Sequence, residues 1–137
     1  NKIIKKMIRI DISNYVYILL MLLAFGCGTV MSQTFINGDF EDRIAKDVVA
    51  VEFWADWNKA NQFAELNKLK ECEVYRLDIM AEADIQAEYN ITAIPTIIIF
   101  DNGVERERFG ANIMFQLEAN RKVIQNSVDT IILNKFQ

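Results

Sequence analysis

The sequence predicts an α/β domain in which helices flank a mixed β-sheet. Residues 48–54 and 96–100 are two runs of mostly β-branched, aliphatic and aromatic residues, and both predict buried strands. Asp101-Asn102-Gly103 follows the second run. Because Asn-Gly readily adopts the backbone angles of a tight hairpin turn, residues 104–109 are predicted to be the antiparallel partner. The segment from Ala111 to the end contains no glycine or proline, which favours a long helix.

The other elements follow from local apolar patterns. Residues 40–46 predict a short helix, residues 58–70 a second helix, residues 74–78 another strand and residues 81–89 a third helix. In the C-terminal segment, five apolar residues are spaced as on one face of a helix and are expected to pack on the core: Ile113, Leu117, Ile124, Val128 and Ile131. The order strand, helix, strand, helix, hairpin, helix predicts a sheet that is partly parallel and partly antiparallel.

Composition excludes several classes of function. The 137 residues include no histidine and only two cysteines, Cys27 and Cys72. Triads and metal sites that need imidazole are therefore excluded, as are multi-cysteine metal sites and disulfide frameworks. We expect no metal and no cofactor. Four of the 15 cations but one of the 19 acids precede residue 33, so residues 33–137 have an excess of seven acids. Nucleic acid is therefore not an expected partner.

Residues 1–32 have the pattern of a targeting segment. The cations lie within residues 1–9, an uncharged and strongly apolar run covers residues 15–25, and small residues follow it. The strongly apolar run is shorter than the roughly 20 residues of a membrane-spanning helix, which favours a signal peptide cleaved before Gln33.

Two alternatives to cleavage stay open for this segment. Ala24-Phe25-Gly26-Cys27 is similar to a bacterial lipobox, which would place a lipid on Cys27. An uncut segment would instead anchor the chain in the membrane through residues 15–31. In each case the positive-inside rule predicts that residues 33–137 are exported and lie in the periplasm or cell envelope.

Several motifs of this exported part resemble the thioredoxin family. Val-Glu-Phe-Trp-Ala-Asp-Trp, residues 51–57, is similar to the active-site strand of that family, and Ile94-Pro95-Thr96 is similar to its cis-proline loop. The hairpin turn at residues 101–103 and the loop Phe109-Gly110-Ala111 follow in the family's order. The resemblance extends over about residues 35–126. It implies a thioredoxin-like fold for residues 33–137.

The resemblance fails at the two catalytic cysteines of the family, whose positions are occupied by Asn58 and Asn61. Thiol–disulfide exchange needs an attacking thiolate and a resolving thiol, and an amide replaces neither. The resemblance therefore implies a degenerate, redox-inactive site with no catalytic residue. We expect Asn58 to cap the following helix. Glu52 occupies the family's buried-acid position, and we expect it to hydrogen-bond Asn61 or to pair with Lys59.

The residues around the family's substrate groove are retained in this sequence, whereas the two catalytic cysteines are not. Trp57, Ile94, Pro95, Gly110 and Ala111 match the apolar residues around that groove. In the family, backbone groups beside the cis-proline pair with an extended peptide. Two explanations fit Pro95: either the fold needs this turn, or a peptide still binds there.

Three functions follow as hypotheses. The first is a redox-inactive module of the cell envelope that binds a protein or peptide through the groove or the C-terminal helix. The second is a single-thiol oxidoreductase that uses Cys72, although Glu71 and Glu73 flank this residue and would raise its pKa. The third is a structural subunit of an envelope assembly, held by apolar residues near the C-terminus: Ile131, Ile132, Leu133 and Phe136.

Overall fold

The architecture is a four-stranded mixed sheet with helices packed on both faces. It is described for residues 38–137 by a computed structural model. The interpretations of residues 1–32 as a signal peptide, lipidated segment or anchor lie outside the described residues. In chain order the elements are α1 (Phe40–Ile44), β1 (Val48–Trp54), β2 (Glu73–Asp78), α2 (Ala83–Glu88), β3 (Thr96–Asp101), β4 (Val104–Phe109) and α3 (Arg121–Asn134). Among residues 38–137, no helix has the length and apolar character that crossing a bilayer requires.

The strand order is β2-β1-β3-β4, with β1 and β2 parallel and the other two pairs antiparallel. Every residue of the central strands β1 and β3 is buried, as their apolar runs predict. The edge strand β4 is exposed and alternates acids and cations over residues 105–108, a pattern that protects a sheet edge from pairing with other chains.

The two faces of the sheet have separate cores. On one face, α1 and α2 pack around a group of aromatic rings: Phe40, Phe53, Tyr89 and Phe100. On the other face, α3 packs through Ile124 and Val128, and Leu66 and Leu69 from the connection between β1 and β2 complete the layer. The alternation of side chains along β1 supplies residues to both cores.

The hairpin between β3 and β4 is confirmed. Asn102 and Gly103 both have positive φ, 51° and 82°, as a tight hairpin turn requires. The Gly103 N–H donates to the Ile44 carbonyl at 2.7 Å, which attaches the turn to the end of α1.

The helix predicted for residues 58–70 is wrong. The chain forms two short 3₁₀ segments there, Asp56–Asn61 and Leu66–Lys68, with Gln62 extended between them. The Phe63 N–H donates to the buried Glu52 side chain, and its carbonyl accepts both the Arg76 guanidinium and the Leu66 N–H. These tertiary hydrogen bonds override the apolar spacing that predicted a helix.

The predicted C-terminal helix is confirmed only from Arg121 onward. Asn120 begins it, because its side chain accepts a hydrogen bond from the Val123 N–H at 3.1 Å. Before it, the chain turns back on itself through a bridge between Ala111 and Leu117. As a result Ile113 is 98% exposed and does not join the core, contrary to the helical spacing.

Two isoleucines that the helical spacing placed on one face are expected to differ in their effect on stability. Ile124→Ala removes a fully buried side chain and should lower the free energy of unfolding by about 2–5 kcal/mol. Ile113→Ala, the matched control, should leave it almost unchanged. Urea denaturation followed by circular dichroism measures both, and equal losses would show that residues 111–119 pack differently.

Candidate functional site

Asn58 connects three segments at one end of the sheet. It is buried, and its side-chain Nδ2 donates to the carbonyl of Ile94 at 3.3 Å and to that of Phe115 at 3.0 Å. Its Oδ1 accepts a hydrogen bond from Asn61 Nδ2 at 2.9 Å. Asn58 therefore joins the turn after β1 to the loop before β3 and to the loop after β4.

The expected role of Asn58 as a helix cap is wrong. The 3₁₀ segment is preceded by Ala55, its end carries no side-chain cap, and Asn58 itself lies inside the segment with non-helical angles. With no α-helix after it, the Asn58 amide is free to reach across to the neighbouring loops.

The loop before β3 contains a cis peptide bond between Ile94 and Pro95. The Thr96 hydroxyl donates to the Ala93 carbonyl at 2.7 Å and closes this turn. The Ile94 carbonyl accepts the Asn58 amide, whereas its N–H has no hydrogen-bond partner in the part of the chain that the structure describes. One backbone donor beside Pro95 is therefore unpaired within residues 38–137, in a residue that is 2% exposed.

A small cavity of about 130 Å³ lies beside this loop. Its floor consists of buried isoleucines, and its lips are Trp57 and Phe115, whose rings meet edge to face at a centroid distance of 5.4 Å. Trp57 is 60% exposed, so an apolar surface faces solvent. The lining residues are Trp57, Ile79, Gln86, Ile91, Thr92, Ala93, Ile94 and Phe115.

The structure brings together some of the residues that the sequence places at the groove. Trp57 and Ile94 line the cavity, and Pro95 follows directly. Gly110 and Ala111 do not line it, because the Gly110 carbonyl accepts the Glu118 N–H and Ala111 pairs with Leu117.

Phe115, which no sequence pattern predicts at the groove, forms the third wall in place of Gly110 and Ala111. Asn120 was the sequence signal for the loop that contains Phe115. Asparagine is a favoured N-cap, and a helix that begins at Asn120 leaves residues 111–119 as a loop.

Glu52 forms a buried ion pair with Arg76, and not with either of the two partners expected from the sequence. Arg76 lies opposite Glu52 in the parallel register of β1 and β2, and its Nε is 2.6 Å from Glu52 Oε2. The second carboxylate oxygen accepts the Phe63 N–H at 2.7 Å, and Arg76 Nη2 donates to the Phe63 carbonyl at 2.6 Å. The expected bonds of Glu52 to Asn61 or Lys59 are therefore wrong. The sequence signal for this pair was Arg76 itself, the one cation in the strand predicted over residues 74–78.

The electrostatics of Glu52 reflect this burial. Loss of solvent raises the pKa of Glu52, and the Phe63 N–H and the Arg76 guanidinium oppose the shift. Because both oxygens already accept hydrogen bonds, the carboxyl group holds the Phe63 backbone in place.

Cys72 lies half-buried against the core on the α3 side of the sheet. Burial raises the pKa of its thiol to about 11, and the nearby acids Asp129 and Glu71 add to the shift. The direction expected from the flanking acids is confirmed, with Asp129 of α3 acting in place of Glu73. At neutral pH the thiol is less ionised than that of free cysteine, whose pKa is about 8.5.

The sequence profile of the thioredoxin family matches residues 31–122, which is more than half of the chain. The chain belongs to the thioredoxin family. It is 36% identical to the thioredoxin of Mycoplasma genitalium over 70 residues, which is 47% of this chain and 69% of that protein. The thioredoxin of Chlamydia muridarum is 31% identical over 84 residues, 57% of this chain and 82% of that one.

Solved structures agree on the fold of this thioredoxin-family chain. A mutant thioredoxin from Halobacterium salinarum NRC-1 superposes with a TM-score of 0.59 at 19% identity, covering 72% of this chain and 89% of that chain. The thioredoxin of Malassezia sympodialis gives a TM-score of 0.56 at 24% identity, covering 72% and 90%. The thioredoxin-like α/β fold with a mixed sheet is thereby confirmed.

Removing Arg76 is expected to destabilise the domain strongly. Arg76→Met leaves the Glu52 carboxylate buried without its cation and should lower the free energy of unfolding by about 3–5 kcal/mol in chemical denaturation. The control is Arg106→Met, which breaks the half-exposed pair with Asp101 and should have little effect. A loss as small for Arg76→Met as for Arg106→Met would contradict the structural role of the buried pair.

Proposed function

We propose that residues 33–137 form a redox-inactive thioredoxin-family domain that binds an extended protein or peptide segment beside Pro95, in the cell envelope. One observation carries the proposal. The two asparagines at the cysteine positions of the family form a hydrogen-bonded pair that supports a groove beside it. The site has lost the groups that exchange disulfides and kept the surface that would contact a partner.

The Asn58 side chain occupies the position of the family's attacking cysteine. A thiol–disulfide exchange begins when a thiolate attacks a disulfide sulfur, and the amide of Asn58 has no such nucleophile. Its donor group is committed to two carbonyls and its oxygen to Asn61. Cys72 does not replace the missing thiolate, because its raised pKa keeps it protonated.

A bound segment would contact the Ile94 backbone and the cavity that Ile94 lines. An extended chain that passes Pro95 would pair with the free Ile94 N–H, as in β-augmentation. The Ile94 carbonyl has a second lone pair beyond the one that Asn58 uses. A side chain of the bound segment would then enter the cavity between Trp57 and Phe115.

The location in the envelope follows from the pattern of residues 1–32. A cleaved signal would release the domain, whereas a lipid on Cys27 or an uncut anchor over residues 15–31 would hold it at the membrane.

The alternative of a structural subunit in an envelope assembly has limited support, because Ile131 and Ile132 pack on the core and, of the four C-terminal apolar residues, only Leu133 and Phe136 are exposed.

The chain is expected to show no disulfide reductase activity in an insulin reduction assay with dithiothreitol, and Cys72→Ser should behave identically. Asn58→Cys/Asn61→Cys is the positive control, because it restores the attacking and resolving thiols at the two positions where the family has cysteines. Activity that Cys72→Ser abolishes would instead establish the single-thiol oxidoreductase.

Peptide binding is expected to require Trp57. A library of random peptides displayed on phage should yield enriched sequences on the native chain, and Trp57→Ala should lose them because it removes a lip of the cavity. Val104→Ala, which removes an exposed apolar side chain on β4, should retain them. No enrichment on the native chain, or equal enrichment on Trp57→Ala, would contradict binding at this groove.

A further inference from the structure

The loop after β4 is held in one shape by its own hydrogen bonds. Asn112 provides most of them, since its Oδ1 accepts the N–H groups of Met114 and Gln116 at 2.8 and 3.1 Å. Its backbone bonds Gln116 and Phe115, and the Ala111–Leu117 bridge closes the base. Residues 111–117, the wall loop, therefore form a pre-organised projection.

Phe115 of the wall loop is held in an uncommon backbone conformation. Its φ is 56°, in the left-handed region that bulky residues rarely adopt. The Asn58 amide on its carbonyl and the Trp57 ring against its own ring keep it there. Such a conformation persists when its surroundings over-determine it, as is common at ligand sites.

The position of Phe115 decides the size of the cavity. The floor residues Ile79, Ile91 and Ile94 belong to the core and are at most 7% exposed, so their positions are fixed by packing. Phe115 belongs to neither core and forms the opposite wall. The resulting 130 Å³ is less than the roughly 150 Å³ of a protein cavity that accommodates benzene. On this comparison we expect a leucine or methionine side chain to fill the space with less displacement of Phe115 than an aromatic ring.

The chain segments around the cavity carry more acids than cations, which favours a basic ligand. The segments that carry the lining residues, 55–61, 79–94 and 111–118, contain one cation, Lys59. They contain five acids, none of which forms an ion pair within residues 38–137: Asp56, Glu82, Asp84, Glu88 and Glu118. Complementary charge increases the association rate and the selectivity for a cationic partner.

From these observations we infer that Phe115 is the specificity-determining residue of the groove. It limits the cavity to one leucine- or methionine-sized side chain from an extended segment with neighbouring lysine or arginine, and it excludes aromatic side chains. This inference rests on the proposed peptide-binding function.

The test uses the peptides acetyl-Lys-Thr-Xaa-Thr-Lys-amide, with Gly, Leu or Phe at Xaa, and titration calorimetry with the native chain. The Leu peptide should bind about tenfold or more tightly than the Gly peptide, because the cavity buries its side chain. It should also bind more tightly than the Phe peptide. A Leu peptide with Glu in place of both Lys residues should bind more weakly, and the difference should shrink at high salt.

Phe115→Ala provides the decisive variant, because it enlarges the cavity without touching the core. The ratio of the Kd of the Phe peptide to that of the Leu peptide should fall about tenfold in this variant. Val104→Ala truncates an exposed apolar side chain on β4 that does not line the cavity, and it should leave the ratio unchanged.

The outcomes separate the two proposals. If the native chain binds the Leu peptide but the ratio does not change in Phe115→Ala, or if it binds the Phe peptide as tightly as the Leu peptide, the inference about Phe115 is wrong and peptide binding stands. If the Glu peptide binds as tightly as the Lys peptide, the basic partner is wrong. If the native chain binds none of the peptides, the proposed function and the inference are both wrong.

Discussion

The buried pair of Glu52 and Arg76 is the interaction on which the site end of the domain depends. The connection between β1 and β2 has no α-helix, so the backbone polar groups of Phe63 need other partners. Glu52 accepts the Phe63 N–H and Arg76 donates to its carbonyl. Since both side chains come from adjacent strands in register, the sheet itself positions the connection that follows the site turn. The cost is desolvation of two charges, which is offset by hydrogen bonds to both carboxylate oxygens and to Nε and Nη2 of Arg76, whereas the buried Nη1 of Arg76 has no hydrogen-bond partner among the described residues.

Asn58 acts on the site in a similar way, by satisfying backbone groups from a distance. Its amide reaches carbonyls in two loops that are far apart in sequence, and these contacts place Ile94 and Phe115 on opposite sides of one cavity. In the family, the same position holds a cysteine that must be free to react. The asparagine at this position makes three hydrogen bonds and ties the two loops to the turn after β1.

Four of the large apolar residues that are exposed within residues 38–137 lie around the proposed groove, and five lie elsewhere: Met80, Val104, Val123, Leu133 and Phe136. The edge strand β4 is protected by alternating charges, so it offers little to a partner strand. Around the groove, by contrast, Trp57 and three consecutive residues of the wall loop, Ile113, Met114 and Phe115, are exposed. Exposed apolar side chains on a pre-organised loop are typical of surfaces that bind other molecules.

The sequence by itself determined the sheet and the family. The runs at residues 48–54 and 96–100 and the Asn-Gly turn predict strands and a hairpin from local patterns, and the structure reproduces them. Only the tertiary structure decided the partner of Glu52, the role of Asn58 and the place of Phe115. Each of these depends on contacts between residues 24 to 57 positions apart, which leave no periodicity in the sequence. Continuous apolar runs indicate the buried strands, whereas pairing between buried polar groups is fixed by strand register and loop packing.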